Sequence, residues 1–187
     1  MKRHINNLIS VCFTTLKFCC IKILRKSNFQ FSFPERFTPN VVTEFVKGSL
    51  VQLGKGIRVH RGSKLKTQKG AKLVIGNNVR INYNCFIICH NQIEIGEGTE
   101  FGPNVLVYDH DHDFRVGIKE NQFKTEPIVI GKNCWIGANT VILRGTHLGD
   151  NCVVGAGSVI KGCFPNDSLI VQKRATEVKL IEYRKKK

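Results

Sequence analysis

Imidazoles and carboxylates alternate in the stretch 101–114, FGPNVLVYDHDHDF, as Asp109, His110, Asp111, His112 and Asp113. An imidazole titrates near neutrality, so it can take up and return a proton at physiological pH. A carboxylate beside it can orient the ring. Together these residue types suit general acid–base chemistry. A solvated turn or an adventitious cation site would have the same composition. A dedicated metal centre fits poorly. No CxxC pair occurs, His110 and His112 are only two apart, and Cys85, Cys134 and Cys152 fall in separate repeats. The expectation is that no metal is required. His4, His60 and His147 carry no motif, and His147 reads as a surface residue.

A six-residue repeat must position this segment. The aliphatic residues Ile130, Ile136, Ile142, Leu148, Val154 and Ile160 are each six apart, with Gly following at 131, 137, 149 and 155. Four residues after the first five anchors stand Cys134, Thr140, Thr146, Cys152 and Ser158, all small; Phe164 breaks the rule where the repeat ends. Neither the 3.6 period of a helix nor the period of two of a strand gives a strict six. Short strands joined by tight turns do. Earlier anchors run Leu53, Val59, Leu65, then Ile75, Ile81, Ile87, then Ile95, Phe101, Val107. Insertions of 4, 2 and 17 residues each follow a third hexad. The reading is a triangular prism with three hexads per lap and all insertions leaving one corner. Five coils are expected, at 53–70, 75–92, 95–112, 130–147 and 148–165, with their anchors stacked as one core. The fold class is all-β, a parallel β-helix with a short N-terminal helix and a basic C-terminal tail. The domains read 1–48 (basic amphipathic helix and linker), 49–166 (repeat, with an inserted loop at 113–129) and 167–187 (strand or helix tail).

The chain has 187 residues, room for one compact domain with an appendage and not for two domains of full size. Twenty-nine basic residues against fourteen acidic ones leave a formal charge of +15, which points to an anionic partner. Nucleic acid is not expected, because no stacking motif accompanies the charge. Eight cysteines without framework spacing read as reduced thiols of a cytoplasmic protein. Residues 1–30 hold Lys2, Arg3, Lys17, Lys22, Arg25 and Lys26 and no acid. Neither a signal peptide nor a spanning helix is read here, because no small-residue cleavage site follows the apolar run and polar residues interrupt it. Ile5, Ile9, Cys12, Leu16, Cys19 and Ile23 share one helical face. That face is expected to pack on the protein itself or on sister subunits, or else to lie on an anionic leaflet, which would make the protein peripheral at the inner face of the membrane.

The hexads IGKNCW, IGANTV, LGDNCV and VGAGSV, with the DHDHD segment and the loop after it, resemble the hexapeptide-repeat acyltransferases. Within that family the chain is most similar to maltose/galactoside-type and capsular-polysaccharide O-acetyltransferases, over roughly residues 49–180. The resemblance implies left-handed coiling, although parallel crossovers are normally right-handed. It implies acetyl-CoA as donor, a sugar or glycan hydroxyl as acceptor, and a homotrimer with sites between neighbouring prisms. The family's histidine follows the PNV valine by seven residues. Here Val105 leads to His112 as general base, with His110 as the fallback and Asp109 beside the acceptor. Asn82 and His90 match places that contact the acceptor. Trp135, Ala138 and Ala156 match the acyl-CoA cleft, Ala138 through a backbone N–H for the oxyanion. Lys161 stands where a small polar residue is usual. Arg174 and Lys179 match basic residues near the 3′-phosphate, although Gln172-Lys173-Arg174-Ala175 replaces the usual Gly-x-Pro-Ala. Other acceptors of the same fold are serine, an amino-sugar amine or an antibiotic. A zinc hydratase needs histidines five apart, a scaffold would not explain the long loop, and a sugar-nucleotide pyrophosphorylase needs a nucleotide-binding domain that 48 residues cannot supply.

Overall fold

The computed structural model describes residues 2–113, 122–173 and 178, with the side chains of Lys2 and Arg3 left out. Three parallel sheets form the walls of a prism. The first wall stacks Phe29–Phe31, Leu50–Leu53, Lys72–Ile75, Gln92–Ile95, Ile128–Ile130, His147–Leu148 and Cys163–Phe164. The second runs from Arg36–Phe37 through Arg58–Val59, Arg80–Ile81, Glu100–Phe101, Trp135–Ile136 and Val153–Val154 to Leu169–Ile170. The third stacks Val42–Phe45, Lys64–Thr67, Phe86–Cys89, Leu106–Tyr108, Val141–Leu143 and Val159–Ile160. The expected anchors coincide in register: Leu53, Ile75, Ile95, Ile130 and Leu148 on one wall, Val59, Ile81, Phe101, Ile136 and Val154 on the next, and Leu65, Ile87, Val107, Ile142 and Ile160 on the last. All of them are buried.

Local chemistry explains the rest of the hexad. The small residues Cys85, Cys134, Thr140, Thr146, Cys152 and Ser158 are buried under the corners. Their Sγ and Oγ atoms donate to turn carbonyls, as Cys134 Sγ does to Gly149 O at 3.1 Å. These thiols are structural, as expected. Glycine follows the anchor because coils meet there backbone to backbone. A Cβ on Gly131 would lie 2.5 Å from the Gly149 carbonyl. The turns need a left-handed residue as well, supplied by Asn78, Asn84, Asn104, Asn133, Asn139 and Asn151. The 4-, 2- and 17-residue insertions all leave the corner between the third and first walls.

Three expectations are corrected. The prism has six full coils and two strands of a seventh, because residues 29–45 form a first coil and are not a linker to residue 48. Phe31 and Phe37 keep the step of six, but the third anchor position holds Thr43, whose polarity hid the coil. The tail likewise begins as wall, with Leu169–Ile170 paired to Val153–Val154. Next, the insertion starts earlier than residue 113. The chain leaves the wall after Tyr108, and His110–His112 already forms an antiparallel hairpin with Phe123–Thr125. His112 is therefore not the last residue of a wall hexad.

The third correction concerns the helix α1 (Lys2–Arg25), which lies across the N-terminal end of the prism. Its packed face is Ser10, Thr14, Phe18, Ile21 and Arg25, so of the alternatives expected for the apolar face, packing on its own prism does not occur. Ile5, Ile9, Cys12, Leu16, Cys19 and Ile23 are all exposed. Phe18 meets the rings of Phe29, Phe31 and Phe37 edge-on at 5.4, 5.5 and 4.9 Å. The polar groups serve the open backbone of the first coil. Thr14 Oγ1 accepts the Phe37 N–H at 2.9 Å, Lys17 Nζ donates to Val41 O at 3.3 Å, and Lys22 Nζ donates to Phe29 O at 2.8 Å. Arg25 donates to the Ser49 hydroxyl at 2.9 Å. An uncovered coil would offer these groups to another chain, so the helix has to turn its hydrogen-bonding face inward.

Candidate functional site

The histidines gather where the long insertion leaves the prism. Asp109 follows the last strand of the fourth coil and takes the inward place that Thr67 and Cys89 hold in the coils below. It is fully buried. Its carboxylate accepts the N–H of His90 at 2.8 Å and that of Asn91 at 2.7 Å, which ties the two coils together. The same carboxylate lies 3.1 Å from His110 Nδ1. A buried carboxylate fixing one ring nitrogen leaves the other for chemistry. Burial, together with Asp109, also pushes the neighbouring Cys89 thiol up and keeps it protonated.

Aromatic packing fixes the rest of the cluster. His90 and His110 stack face to face, with centroids 3.5 Å apart and planes within 2°. Phe123, from the returning strand of the hairpin, stands edge-on to both and lies 4.7 Å from the His112 ring. Tyr108 meets His110 edge-on at 5.7 Å. Burial, then His110, holds the His90 pKa down at about 4 despite the opposing pull of Asp109. A groove of about 300 Å³ opens beside the cluster, lined by Gln68, Lys69, His90, Phe123 and Thr125. His112 is exposed, whereas the His110 side chain is only 11% exposed.

The hairpin is braced from the coil that follows it. Arg144 Nε donates to Asp111 at 2.6 Å, and the same guanidinium bonds Glu126. Lys124 pairs with Asp113 at 3.1 Å. Sequence reasoning passed over Phe123 and Arg144. Inside an insertion the hexad phase is lost, so nothing marked Phe123. Arg144 did carry a signal, because register puts it directly after Leu143, the partner of Tyr108.

The remaining candidates lie elsewhere. Trp135 is 60% exposed on the second wall. Ala138, Ala156 and Asn82 occupy turns of the corner between the second and third walls, one edge away from the histidines. Among the described residues, the backbone N–H of Ala138 and that of Ala156 have no hydrogen-bond partner. Asn82 is not the left-handed residue of its turn, a role held by Asn84; its Oδ1 accepts the Tyr83 N–H at 2.9 Å. Lys161 is exposed beyond the third wall. His147 is exposed on the first wall. Arg174 and Lys179 fall outside the described residues. Among the described residues no group of three or more His, Cys, Asp or Glu could hold a metal ion.

Comparison with known proteins adds to this geometry. Residues 127–161 match the family model described as the hexapeptide repeat of succinyl-transferase. Nodulation protein L of Rhizobium leguminosarum bv. viciae is 41% identical over 76 residues, 38% of this chain and 38% of that protein. Galactoside O-acetyltransferase of Escherichia coli (strain K12) is 35% identical over 92 residues, 49% of this chain and 45% of the enzyme. The chain thus matches less than half the length of either relative. The solved N-acyltransferase AntD from Bacillus cereus, in complex with dTDP-4-amino-4,6-dideoxyglucose and coenzyme A, superposes with a TM-score of 0.66 at 19% identity. The superposition covers 85% of this chain and 89% of that one, a likeness of fold. By its register and its fold the chain is a left-handed parallel β-helix; residues 127–161 match the hexapeptide-repeat model, and a galactoside O-acetyltransferase is among the proteins it resembles.

Proposed function

We propose that the protein transfers an acetyl group from acetyl-CoA to a hydroxyl of a sugar or sugar nucleotide, in the building of surface or capsular polysaccharide. The observation that carries this reading is the imidazole pair on a braced hairpin beside an open groove, with Asp109 fixing His110. Sequence similarity to an O-acetyltransferase supports it. Acyl transfer needs a base for the hydroxyl proton, a donor for the oxyanion and exclusion of water.

His112 is the base in this reading. Its ring is exposed at the outer end of the hairpin, within reach of an acceptor, and the family spacing from Val105 selects it. The acceptor oxygen attacks the thioester carbonyl as His112 takes its proton. A backbone N–H at Ala138 receives the oxyanion. The C–S bond then breaks, and the imidazolium returns the proton to the departing thiolate. Ala138 and Ala156 suit the pantetheine arm because they leave room and unbonded N–H groups, and the exposed Trp135 offers an apolar face. His90 lines the acceptor side; Asp109, expected beside the acceptor, is buried behind it and acts through His90 and His110. A second reading makes His110 the base, favoured by the Asp109 contact at its Nδ1.

The histidines and the Ala138 and Ala156 turns occupy different edges of one prism, with Asn82 on the edge of the alanines and Lys161 on that of the histidines. A complete site therefore needs two copies side by side, which supports a homotrimer. The experiment is acetyl-CoA turnover, followed as free thiol, against a panel of glycans and sugar nucleotides. His112→Ala is expected to lower kcat by about 10²–10⁴. A comparable loss in His110→Ala with His112→Ala nearly intact moves the base to His110. Turnover with amines alone sinks the hydroxyl specificity, and no thiol release with any acceptor sinks the whole reading.

A further inference from the structure

The helix that closes the prism is built the wrong way round for a soluble protein. Its hydroxyl-bearing residues Ser10 and Thr14 are buried, while Leu8, Leu16, Ile23 and Leu24 are 65%, 69%, 74% and 83% exposed. Ile5, Ile9, Cys12, Phe13, Cys19 and Cys20 extend the same outer surface. From residue 5 to residue 24 this apolar stripe is about 28 Å long at 1.5 Å per residue. Soluble monomers rarely leave so continuous an apolar surface in water. The inner face cannot be exchanged for the outer one, because Thr14, Lys17 and Lys22 hold the backbone of the first coil and Arg25 holds Ser49 at the start of the second.

Charge selects the occupant. Lys2, Arg3, Lys17, Lys22, Arg25 and Lys26 precede the first acidic residue of the chain, Glu35. Two copies joined by this face would bring two segments with six basic residues and no acidic one side by side, at a Coulomb cost even with Lys17, Lys22 and Arg25 held on the inner side. An anionic lipid surface is attracted by the net positive charge of this segment, to which Lys17, Lys22 and Arg25 contribute while staying bonded to the prism, and it takes up the apolar side chains. The segment His4–Asn28 is long and apolar enough to cross a bilayer. Spanning, however, would pull Thr14, Lys17 and Lys22 off the first coil and leave its edge open. We infer that helix α1 docks the protein end-on onto an anionic membrane surface, its axis in the plane of the interface and the prism standing away from it. The histidine corner, three coils further along, then remains open to the side, clear of the lipid. This inference does not depend on which acceptor the enzyme uses.

Full-length protein sedimented with phosphatidylcholine vesicles, with and without phosphatidylglycerol, tests it. Wild type is expected to pellet with the anionic vesicles only, and less so at high salt. Leu16→Glu/Ile23→Glu alters two exposed positions, so the melting temperature should hold. Its vesicle affinity should fall by about tenfold or more, since two large side chains no longer enter the interface. The inference is overturned if wild type stays in the supernatant, or if it binds neutral vesicles equally. It is also overturned if the double variant binds like wild type, or if wild type forms a larger oligomer that the variant dissolves, which would put a second copy on the face.

Discussion

Asp109 does two jobs with one carboxylate: it ties the His90–Asn91 turn to the coil above and it holds the His110 ring. Asp109→Asn replaces an acceptor oxygen with an NH₂ that would face backbone donors. Turnover and melting temperature should therefore fall together, whereas His112→Ala should lower turnover alone. A pair of measurements on each variant separates a structural from a chemical loss. His90 gives a pH-dependent prediction at the same scale. Its folded pKa of about 4 lies below the ordinary 6.5, so the fold favours the neutral ring. The stability tied to that ring is present above pH 6.5 and is lost as pH falls toward 4, where charging would set a cation against His110. Melting temperatures across that window should drop for wild type and flatten in His90→Asn. An identical slope in both would place the acid sensitivity elsewhere.

Single elements answer to different forces, and those forces decide what could be read from the chain. The anchors of the five expected coils were legible because each is a large aliphatic or aromatic residue at a fixed step, and stacking demands nothing subtler. The first coil escaped because Thr43 occupies an anchor place, its hydroxyl buried with no hydrogen-bond partner among the described residues. The face of α1 escaped for a related reason. A period of 3.6 reports which side is apolar, but here the backbone edge of the coil required polar partners and the apolar side was left outward. The histidine hairpin was legible as a segment; its pairing was not, because the strand carrying Phe123 lies in an insertion without phase. Glu35, on the same end coil, is buried, and its carboxylate oxygens have no hydrogen-bond partner among the described residues. Burial raises its pKa from 4.5 to about 8, tempered by the nearby N–H groups of Ile57 and Gly56. The fold thus favours the protonated acid. Its contribution is complete below pH 4.5 and is lost as pH rises through about 8. Glu35→Gln should raise the melting temperature by a few degrees above pH 8 and change little below 4.5. A variant less stable than wild type at high pH would mean that the carboxylate is needed in its charged form.

At the scale of the whole molecule, the prism separates what the proposed reaction must join. His110 and His112 project at the corner between the third and first walls, while Ala138 and Ala156 line the corner between the second and third. A rigid stack of strands cannot fold one corner onto the other, so the two halves can meet only across neighbouring chains. A cyclic trimer does this with a heterologous contact repeated three times. Mixing then becomes a decisive measurement. Ala156→Trp would block the proposed pantetheine groove and His112→Ala would remove the proposed base, so each variant alone should be nearly inactive. Co-expressed in equal amounts, the two chains assort at random around the ring. A site is intact when its histidine corner comes from the Ala156→Trp chain and its cofactor corner from the His112→Ala chain. Each condition holds half the time, so about one quarter of wild-type turnover should return if the ring contact is as proposed. Were both corners of one chain to serve the same site, every site would keep a defect and mixing would restore nothing.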